Sequence, residues 1–171
     1  MRLSRIWIAL ALATACTSRD TSDANAFRAL VAGDRAPSYA TPTLRGDTVR
    51  LGGPEQVTVL NVWATWCTSC REEMDDLESV ARQFKSRGVR VVGVSVDGGD
   101  GTRVRRFVED QKLTFTVAHD PQQRIQQTYH VVGVPQTIIL GKDGRILFSY
   151  VGNLRPVLDS VRAIVNRAAG A

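Results

Sequence analysis

Apolar residues recur along this chain in short runs separated by amphipathic stretches, a pattern that predicts alternating strands and helices. The runs 57–63 and 90–96 are dense in β-branched residues, which is typical of strands buried on both faces. Between them the spacing predicts a helix from Ser69 towards Arg87. Because strands and helices alternate, the pattern favours an α/β domain built on a mixed sheet.

The C-terminal half continues the alternation and closes with a hairpin and a helix. Its predicted elements are helix 102–111, strand 114–118, helix 121–129 with Pro121 in its first turn, strands 134–140 and 145–151, and helix 154–168. Upstream, residues 43–51 predict a small hairpin with Gly46-Asp47 at its turn. The expected sheet is therefore central, flanked by helices and preceded by a hairpin extension.

The first fifteen residues have the pattern of an export signal. A short basic head precedes the apolar run 6–15, which is too short to span a bilayer as a stable helix. Small residues at 13–15 stand directly before Cys16, which resembles a bacterial lipoprotein signal in which that cysteine is acylated. Ordinary secretion and an uncleaved anchor are the alternatives. All three place the domain outside the cytoplasm, in the cell envelope or periplasm.

Composition then divides the chain into three parts. Residues 1–15 are the expected signal peptide, 16–32 are polar and suit a flexible tether, and 33–171 form the expected domain. The formal charge is +5, and it becomes +3 when the two arginines of the leader are removed. Arg103, Arg105 and Arg106 lie on one predicted helix without a nucleic-acid motif. A solvated helix face explains them, and no nucleic-acid partner is expected.

The candidate chemistry lies at Cys67 and Cys70, where the strand 57–63 gives way to the predicted helix. A thiol at a helix N-terminus meets unsatisfied backbone N–H groups and the positive end of the helix dipole, and both favour the thiolate. Lowering the thiol pKa from about 8.5 to about 7 raises the thiolate fraction at pH 7 from about 3% to about half. The residues therefore predict a reactive dithiol.

The remaining cysteine and the two histidines do not indicate a second reactive or metal-binding site. If Cys16 is acylated or removed, Cys67 and Cys70 are the only cysteines left, so no structural pairing is available between other residues. A purely structural role for this pair is disfavoured, because so small a loop constrains the unfolded chain little. Zinc would need four ligands, and His119 and His130 lack ligand-like spacing. No metal and no cofactor are expected, and the histidines are interpreted as surface or packing residues.

The sequence around these cysteines resembles the thioredoxin superfamily. The resemblance rests on Trp-Cys-x-x-Cys at a strand–helix junction and on Gly-Val-Pro about 65 residues later. It narrows to exported thiol–disulfide oxidoreductases of the TlpA/ResA type through the segments Gly33-Asp34-Arg35-Ala36-Pro37, Asn61-Val62-Trp63-Ala64-Thr65-Trp66-Cys67 and Tyr129-His130-Val131-Val132-Gly133-Val134-Pro135. The resemblance covers roughly residues 33–168 and implies a thioredoxin fold.

The resemblance also implies roles for individual residues. Cys67 is expected to be exposed and to attack a partner's disulfide as a thiolate, and Cys70 to resolve the mixed disulfide. Pro135 is expected to follow a cis peptide bond and to face the cysteines, while the backbone of Val134 pairs with the substrate peptide. Trp66 is expected to pack beside the disulfide, to shield it and to help bind the substrate.

Glu73 is the candidate proton acceptor. It follows Cys70 by almost one helical turn, and TlpA/ResA-like proteins carry a glutamate there that lies near the active site. A partly buried carboxylate could accept the proton of Cys70 during resolution. The alternative is that Glu73 belongs to a solvated acidic face, 72–78, of the kind favoured near a helix start. Asn61 stands where thioredoxin proper has a buried aspartate, so that acceptor is absent.

Ser69 departs from the family pattern, which often has proline before the second cysteine. A serine hydroxyl there could donate a hydrogen bond towards the Cys67 thiolate and stabilise the reduced form. We therefore expect a less negative reduction potential than a Ser69→Pro variant would have.

The implied activity is that of a thiol–disulfide oxidoreductase, anchored by lipid or exported. Its expected substrates are disulfides of exported proteins, including apocytochrome c, and its expected reductant is a membrane thiol carrier. Two alternatives stay open from the residues alone: a peroxiredoxin-like peroxidase, because the fold is shared, and a non-catalytic binding module that retains the fold.

Overall fold

The computed structural model describes residues 28–54 and 56–170; Cys16 and the expected signal peptide lie outside them. The strands are β1 (Tyr39–Pro42), β2 (Thr48–Leu51), β3 (Thr58–Trp63), β4 (Arg90–Ser95), β5 (Thr116–His119), β6 (Gln136–Leu140) and β7 (Ile146–Val151). The helices are α1 (Thr68–Glu72), α2 (Met74–Phe84), α3 (Thr102–Asp110), α4 (Arg124–Thr128) and α5 (Leu158–Ala169), with single 3₁₀ turns at Lys85–Arg87 and Arg155–Val157.

Five strands form one mixed sheet in the order β5-β4-β3-β6-β7. Strand β4 is parallel to both β3 and β5, whereas β6 is antiparallel to both β3 and β7. Strands β1 and β2 form a separate antiparallel pair, and their connecting turn contains the predicted Gly46-Asp47. The expected mixed sheet with an N-terminal hairpin is therefore confirmed, although β1 begins four residues earlier than the predicted hairpin.

Strand β3 lies at the centre of the sheet, and all six of its residues are buried. Its last residue, Trp63, packs its ring 5.2 Å from the ring of Phe107 on α3. The indole also requires a glycine on β4, because a Cβ at Gly93 would lie 3.0 Å from Trp63 Nε1. This packing fixes the carboxyl end of β3, from which the chain enters the cysteine motif.

The helix predicted as one element from Ser69 is interrupted at Glu73, so the prediction of a continuous helix is wrong. Glu73 ends α1 with φ −94° and ψ −2°, and α2 begins at Met74. The backbone N–H of Leu77 still donates to the Glu73 carbonyl at 3.0 Å, so the direction of the chain continues.

Other element boundaries also differ from the predictions. Helix α4 begins at Arg124 and leaves Pro121 outside, because Gln123 has a left-handed φ of 57° and Asp120 Oδ2 accepts the N–H of Ile125 at 2.7 Å. Strand β6 begins after the cis Val134–Pro135 bond rather than before it. The last helix is preceded by a 3₁₀ turn, so α5 begins four residues later than predicted.

Candidate active site

Cys67 and Cys70 form a disulfide at the start of α1, with their Cα atoms 5.2 Å apart. Cys67 is the N-cap residue, and its sulfur accepts the backbone N–H of Cys70 at 3.2 Å. The hydroxyl of Ser69 lies 3.5 Å from the same sulfur. The predicted placement at a strand–helix junction is therefore confirmed. Both donors are positioned to stabilise negative charge on Cys67 in the reduced protein.

Cys67 is less accessible than expected. Only 7% of the residue is exposed, and Cys70 is fully buried. The Cys67 sulfur is enclosed by Ser69 and by the carbonyl oxygen of Val134, which lies 3.6 Å away. The prediction of an exposed Cys67 is therefore wrong for the disulfide form, although Cys67 remains the more accessible cysteine of the two.

The loop before β6 faces the disulfide. The Val134–Pro135 peptide bond is cis, as predicted, and the Val134 carbonyl makes the contact with Cys67 just described. The carbonyl of Pro135 accepts the N–H of Gly152 at 2.8 Å, which connects this loop to the end of β7. The fold thus brings Cys67, Val134 and Pro135 together at one end of the sheet, where β3 ends and β6 begins.

Trp66 is largely exposed rather than packed into the core. It is 59% exposed and borders an open groove of about 640 Å³ together with the loop 98–101 and the side chains of Arg103 and Arg106. Val132, two residues before Val134, is 75% exposed.

Glu73 is buried rather than part of a solvated acidic face. It has no exposed surface, and two groups donate hydrogen bonds to its carboxylate. Asn61 Nδ2 donates to Oε1 at 2.7 Å, and the backbone N–H of Leu154 donates to Oε2 at 2.6 Å. The alternative of a solvated acidic face is therefore wrong for Glu73. The sequence pattern contained no signal for Leu154, which is 81 residues away along the chain.

Burial raises the pKa of Glu73 from an ordinary value of 4.5 to about 7. The hydrogen bonds from Leu154 and Asn61 oppose this rise because they favour the charged carboxylate, while the negative charge of Asp76 adds to it. A carboxyl group with this pKa exchanges its proton near neutral pH, which is the property required of a general acid or base there.

Asp97 holds the segment that leads into the cysteine motif. It is 3% exposed, and its carboxylate accepts the Thr65 N–H at 2.9 Å, the Thr65 hydroxyl at 2.5 Å and the Ser95 hydroxyl at 2.7 Å. The sequence analysis did not select Asp97. Its position directly after the buried run 90–96 is an available signal, because the carboxyl ends of adjacent parallel strands meet at one edge of the sheet.

The two histidines make backbone contacts. His119 Nε2 lies 2.8 Å from the carbonyl oxygen of Asp97, and His130 Nδ1 lies 2.6 Å from that of Arg28. These contacts agree with the predicted packing roles. Within residues 28–54 and 56–170, no three His, Cys, Asp or Glu side chains are grouped closely enough to hold a metal ion. In the same part of the chain, no helix is long and apolar enough to cross a membrane.

The sequence profile of the AhpC/TSA family matches residues 32–149. The thiol-disulfide oxidoreductase ResA of Oceanobacillus iheyensis is 32% identical over 142 residues, which are 80% of this chain and 72% of that protein. ResA of Geobacillus kaustophilus is 32% identical over 119 residues, 69% of this chain and 68% of that protein. The chain belongs to the ResA-type thiol-disulfide oxidoreductases.

Solved structures agree with this membership. A Chlorobium tepidum protein assigned as thiol:disulfide interchange protein DsbE superposes with a TM-score of 0.77 at 29% identity, covering 83% of this chain and 100% of that one. A secreted thiol-disulfide isomerase of Corynebacterium glutamicum has a TM-score of 0.67 at 28% identity, covering 76% and 84%. The fold of this oxidoreductase is therefore thioredoxin-like, and its Cys67–Cys70 pair is the CxxC redox pair of such enzymes.

Proposed function

We propose that this oxidoreductase is exported and uses the Cys67–Cys70 couple to reduce disulfides of exported proteins, with apocytochrome c as one substrate. The observation that carries the proposal is the enclosed Cys67–Cys70 disulfide directly facing the cis Val134–Pro135 bond. A reactive disulfide beside an accessible backbone segment provides both a chemical group and a docking site for a peptide.

In the first step the Cys67 thiolate attacks one sulfur of the substrate disulfide. A Cys67–substrate disulfide forms, the substrate disulfide breaks, and the leaving sulfur takes a proton. The Cys70 N–H and the Ser69 hydroxyl stabilise the Cys67 thiolate before attack, since both lie within bonding distance of its sulfur. Because only 7% of Cys67 is exposed, it attacks only those disulfides whose sulfur atoms reach into the site.

In the second step Cys70 resolves the intermediate. Its thiol loses a proton to the Glu73 carboxylate, the Cys70 sulfur attacks Cys67, and the second substrate sulfur leaves. The Cys67–Cys70 disulfide is thereby regenerated, and two electrons pass to the substrate. A Glu73 pKa of about 7 suits this role, because the carboxylate is available to take the proton near neutral pH.

The substrate peptide is held by the surface around the cysteines. The backbone of Val134 pairs with it as an added strand, Pro135 keeps that backbone turned towards the disulfide, and Trp66 covers the peptide from the other side. The high exposure of Trp66 supports this role, because large exposed aromatic side chains are favoured at binding surfaces.

Export and anchoring rest on the leader and on Cys16, which lie outside the described residues. Acylation of Cys16 would hold the domain 33–171 at a membrane through the segment 17–32. The secreted character of the Corynebacterium glutamicum neighbour supports export. A membrane thiol carrier would then return the disulfide to the dithiol after each turnover, so no cofactor is required.

Insulin reduction tests the activity directly. Wild type is expected to reduce insulin disulfides with dithiothreitol as electron source, and Cys67→Ser to lose this activity. Cys70→Ser is expected to accumulate a mixed disulfide that a non-reducing gel reveals. Equal insulin reduction by wild type and Cys67→Ser would support the non-catalytic binding module instead.

The AhpC/TSA match keeps a peroxidase reading as the second candidate. Its test is consumption of hydrogen peroxide by the reduced protein. We expect consumption no faster than that of a free thiol, and a fast rate that depends on Cys67 would favour the peroxidase.

The direction of electron flow follows from the reduction potential of the couple. Thioredoxin lies at about −270 mV and the oxidant DsbA at about −120 mV. A value near that of thioredoxin is expected, and a value near that of DsbA would reassign the protein as an oxidant.

A further inference from the structure

The side chain of Asn61 makes an incomplete set of hydrogen bonds in a fully buried position. Its Nδ2 donates to Glu73 Oε1 at 2.7 Å and to Thr137 Oγ1 at 3.1 Å, so both amide hydrogens are used. Its Oδ1 has no partner among the described residues. An orphaned buried acceptor costs about 1–3 kcal/mol, and its presence calls for a compensating role.

Both oxygens of Glu73 face hydrogen-bond donors. Oε2 accepts the backbone N–H of Leu154, and Oε1 accepts an amide hydrogen of Asn61. Both contacts therefore favour the charged carboxylate over the protonated acid.

We propose that Asn61 is the positioning residue for Glu73, holding the charged carboxylate through the hydrogen bond that Nδ2 donates to Oε1. Thr137 Oγ1 accepts the second amide hydrogen and so keeps Nδ2 directed at Glu73. This inference rests on the proposed role of Glu73 in proton transfer.

Strand pairing fixes the geometry of this unit. Asn61 on β3 and Thr137 on β6 are directly paired residues of the antiparallel ladder, so their side chains extend from the same face. Thr137 is two residues beyond Pro135, so β6 carries both the substrate-facing loop and the group that orients Asn61. The unit therefore connects proton transfer at Glu73 with the strand that faces the substrate.

Few charged groups compete for influence on Glu73. Its neighbours from β3 and β6 are the uncharged Asn61 and Thr137. On α2 the negative charge of Asp76 raises the pKa of Glu73, and Arg155, 3.3 Å from Asp76, partly balances that charge. Cys70 is one turn earlier on α1 and titrates only in the reduced protein. Measuring the disulfide form removes the cysteine titration and leaves Glu73 to be followed alone.

The test is the titration of the Glu73 carboxyl in the disulfide form, followed by its infrared C=O stretch and identified by its loss in Glu73→Gln. Asn61→Leu removes the donor to the carboxylate, so its midpoint is expected to rise by about one pH unit. Thr137→Val, which is isosteric, is expected to give a smaller rise in the midpoint. It provides a second test if Asn61→Leu does not fold. Gln136→Leu is the matched control, because it removes a buried amide that bonds Ser149 instead, and its midpoint should equal that of wild type.

A second measurement separates positioning from a general structural effect. The pH profile of the Cys70-dependent release of substrate is expected to shift in Asn61→Leu but to be unaffected by the same substitution in a Glu73→Gln background. Unchanged carboxyl midpoints in Asn61→Leu and Thr137→Val would overturn the proposal, as would an Asn61→Leu shift that persists without Glu73. The carboxyl titration needs no turnover, so it gives its answer even if the proposed reductase activity fails.

Discussion

Glu73 makes the stability of the oxidised protein depend on pH in a direction opposite to that of an ordinary salt-bridged carboxylate. Its pKa is about 7 in the folded chain against 4.5 ordinarily, so the folded state binds the proton more tightly. The stabilisation is fully present below about pH 4.5 and is lost as pH rises through 7. From the shift we expect a loss of about 3 kcal/mol between these limits.

Urea unfolding of wild type and Glu73→Gln in the disulfide form measures this contribution. The difference between their free energies of unfolding is expected to change by about 3 kcal/mol from pH 4.5 to pH 8, with wild type losing stability relative to the variant. Other titrating groups are shared and cancel. Parallel stability curves for the two proteins would show that Glu73 keeps an ordinary pKa.

Ser69 is expected to set part of the reduction potential through a single hydroxyl. Its Oγ lies 3.5 Å from the Cys67 sulfur in the disulfide form, where it is positioned to donate to a thiolate after reduction. A hydrogen bond to a charged group contributes about 1.5 kcal/mol, equivalent to about 30 mV for a two-electron couple. Ser69→Ala and Ser69→Pro are both expected to have potentials more negative than wild type by about this amount.

Equilibration in glutathione buffers gives the three potentials. The Ser69→Ala variant separates the hydroxyl from the backbone effect of proline, which is tolerated in the first turn of a helix. Less negative potentials in both variants would exclude a stabilised thiolate as the function of Ser69.

The connection from β4 to α3 supports the cysteine motif through one buried carboxylate. Asp97 accepts three hydrogen bonds, two of them from Thr65, so it anchors the chain between β3 and α1. Asp97→Ala leaves these donors buried without an acceptor and is expected to destabilise the domain by about 3 kcal/mol. It is also expected to slow insulin reduction, because Cys67 follows the released segment.

Chemical denaturation and insulin reduction are measured together for this variant. Asp110→Ala is the control, because Asp110 is exposed at the end of α3, and a change of about 0.5 kcal/mol or less is expected. If Asp97→Ala unfolds at the wild-type denaturant concentration, the three hydrogen bonds do not hold the motif.

The elements that the sequence predicted least well lie where a buried carboxylate bonds to the backbone. Glu73 accepts the N–H of Leu154 at the interruption between α1 and α2, and Asp120 accepts the N–H of Ile125 at the start of the short α4. Neither contact alters the local hydrophobic period, which reports only the face that is buried. The ends of β3 and β4, by contrast, agree closely with the apolar runs, because both strands are buried along their whole length.

The overall fold could be predicted because the hydrophobic pattern and the cysteine motif both indicate it. The alternation of strands and helices indicates the mixed sheet, and the cysteine motif at the end of β3 indicates the fold family. The accessibility of the site could not be predicted in the same way. Cys67 is enclosed by Val134, which is 67 residues away, and sequence spacing contains no measure of that distance.

The proposed anchor at Cys16 concerns where the domain works rather than how it reacts. The sixteen residues 17–32 span at most about 55 Å when extended, so an acylated Cys16 would keep the domain close to the membrane surface. Two lipid chains or more hold a protein far more firmly than one. Re-reduction by a membrane thiol carrier would then be fast, because both the carrier and the disulfide stay close to the membrane surface and meet often.

Cys16→Ser is expected to move the protein from the washed membrane fraction to the soluble envelope fraction while leaving insulin reduction by the purified domain unchanged. In cells, trapping of free thiols with a maleimide is expected to show a larger oxidised fraction of Cys67 and Cys70 than in wild type, since the carrier is reached less often. Cys67→Ser, with Cys16 intact, is the control for fractionation and should stay with the membrane. Equal membrane retention of Cys16→Ser would assign anchoring to an uncleaved leader, whereas release of both proteins would assign ordinary secretion.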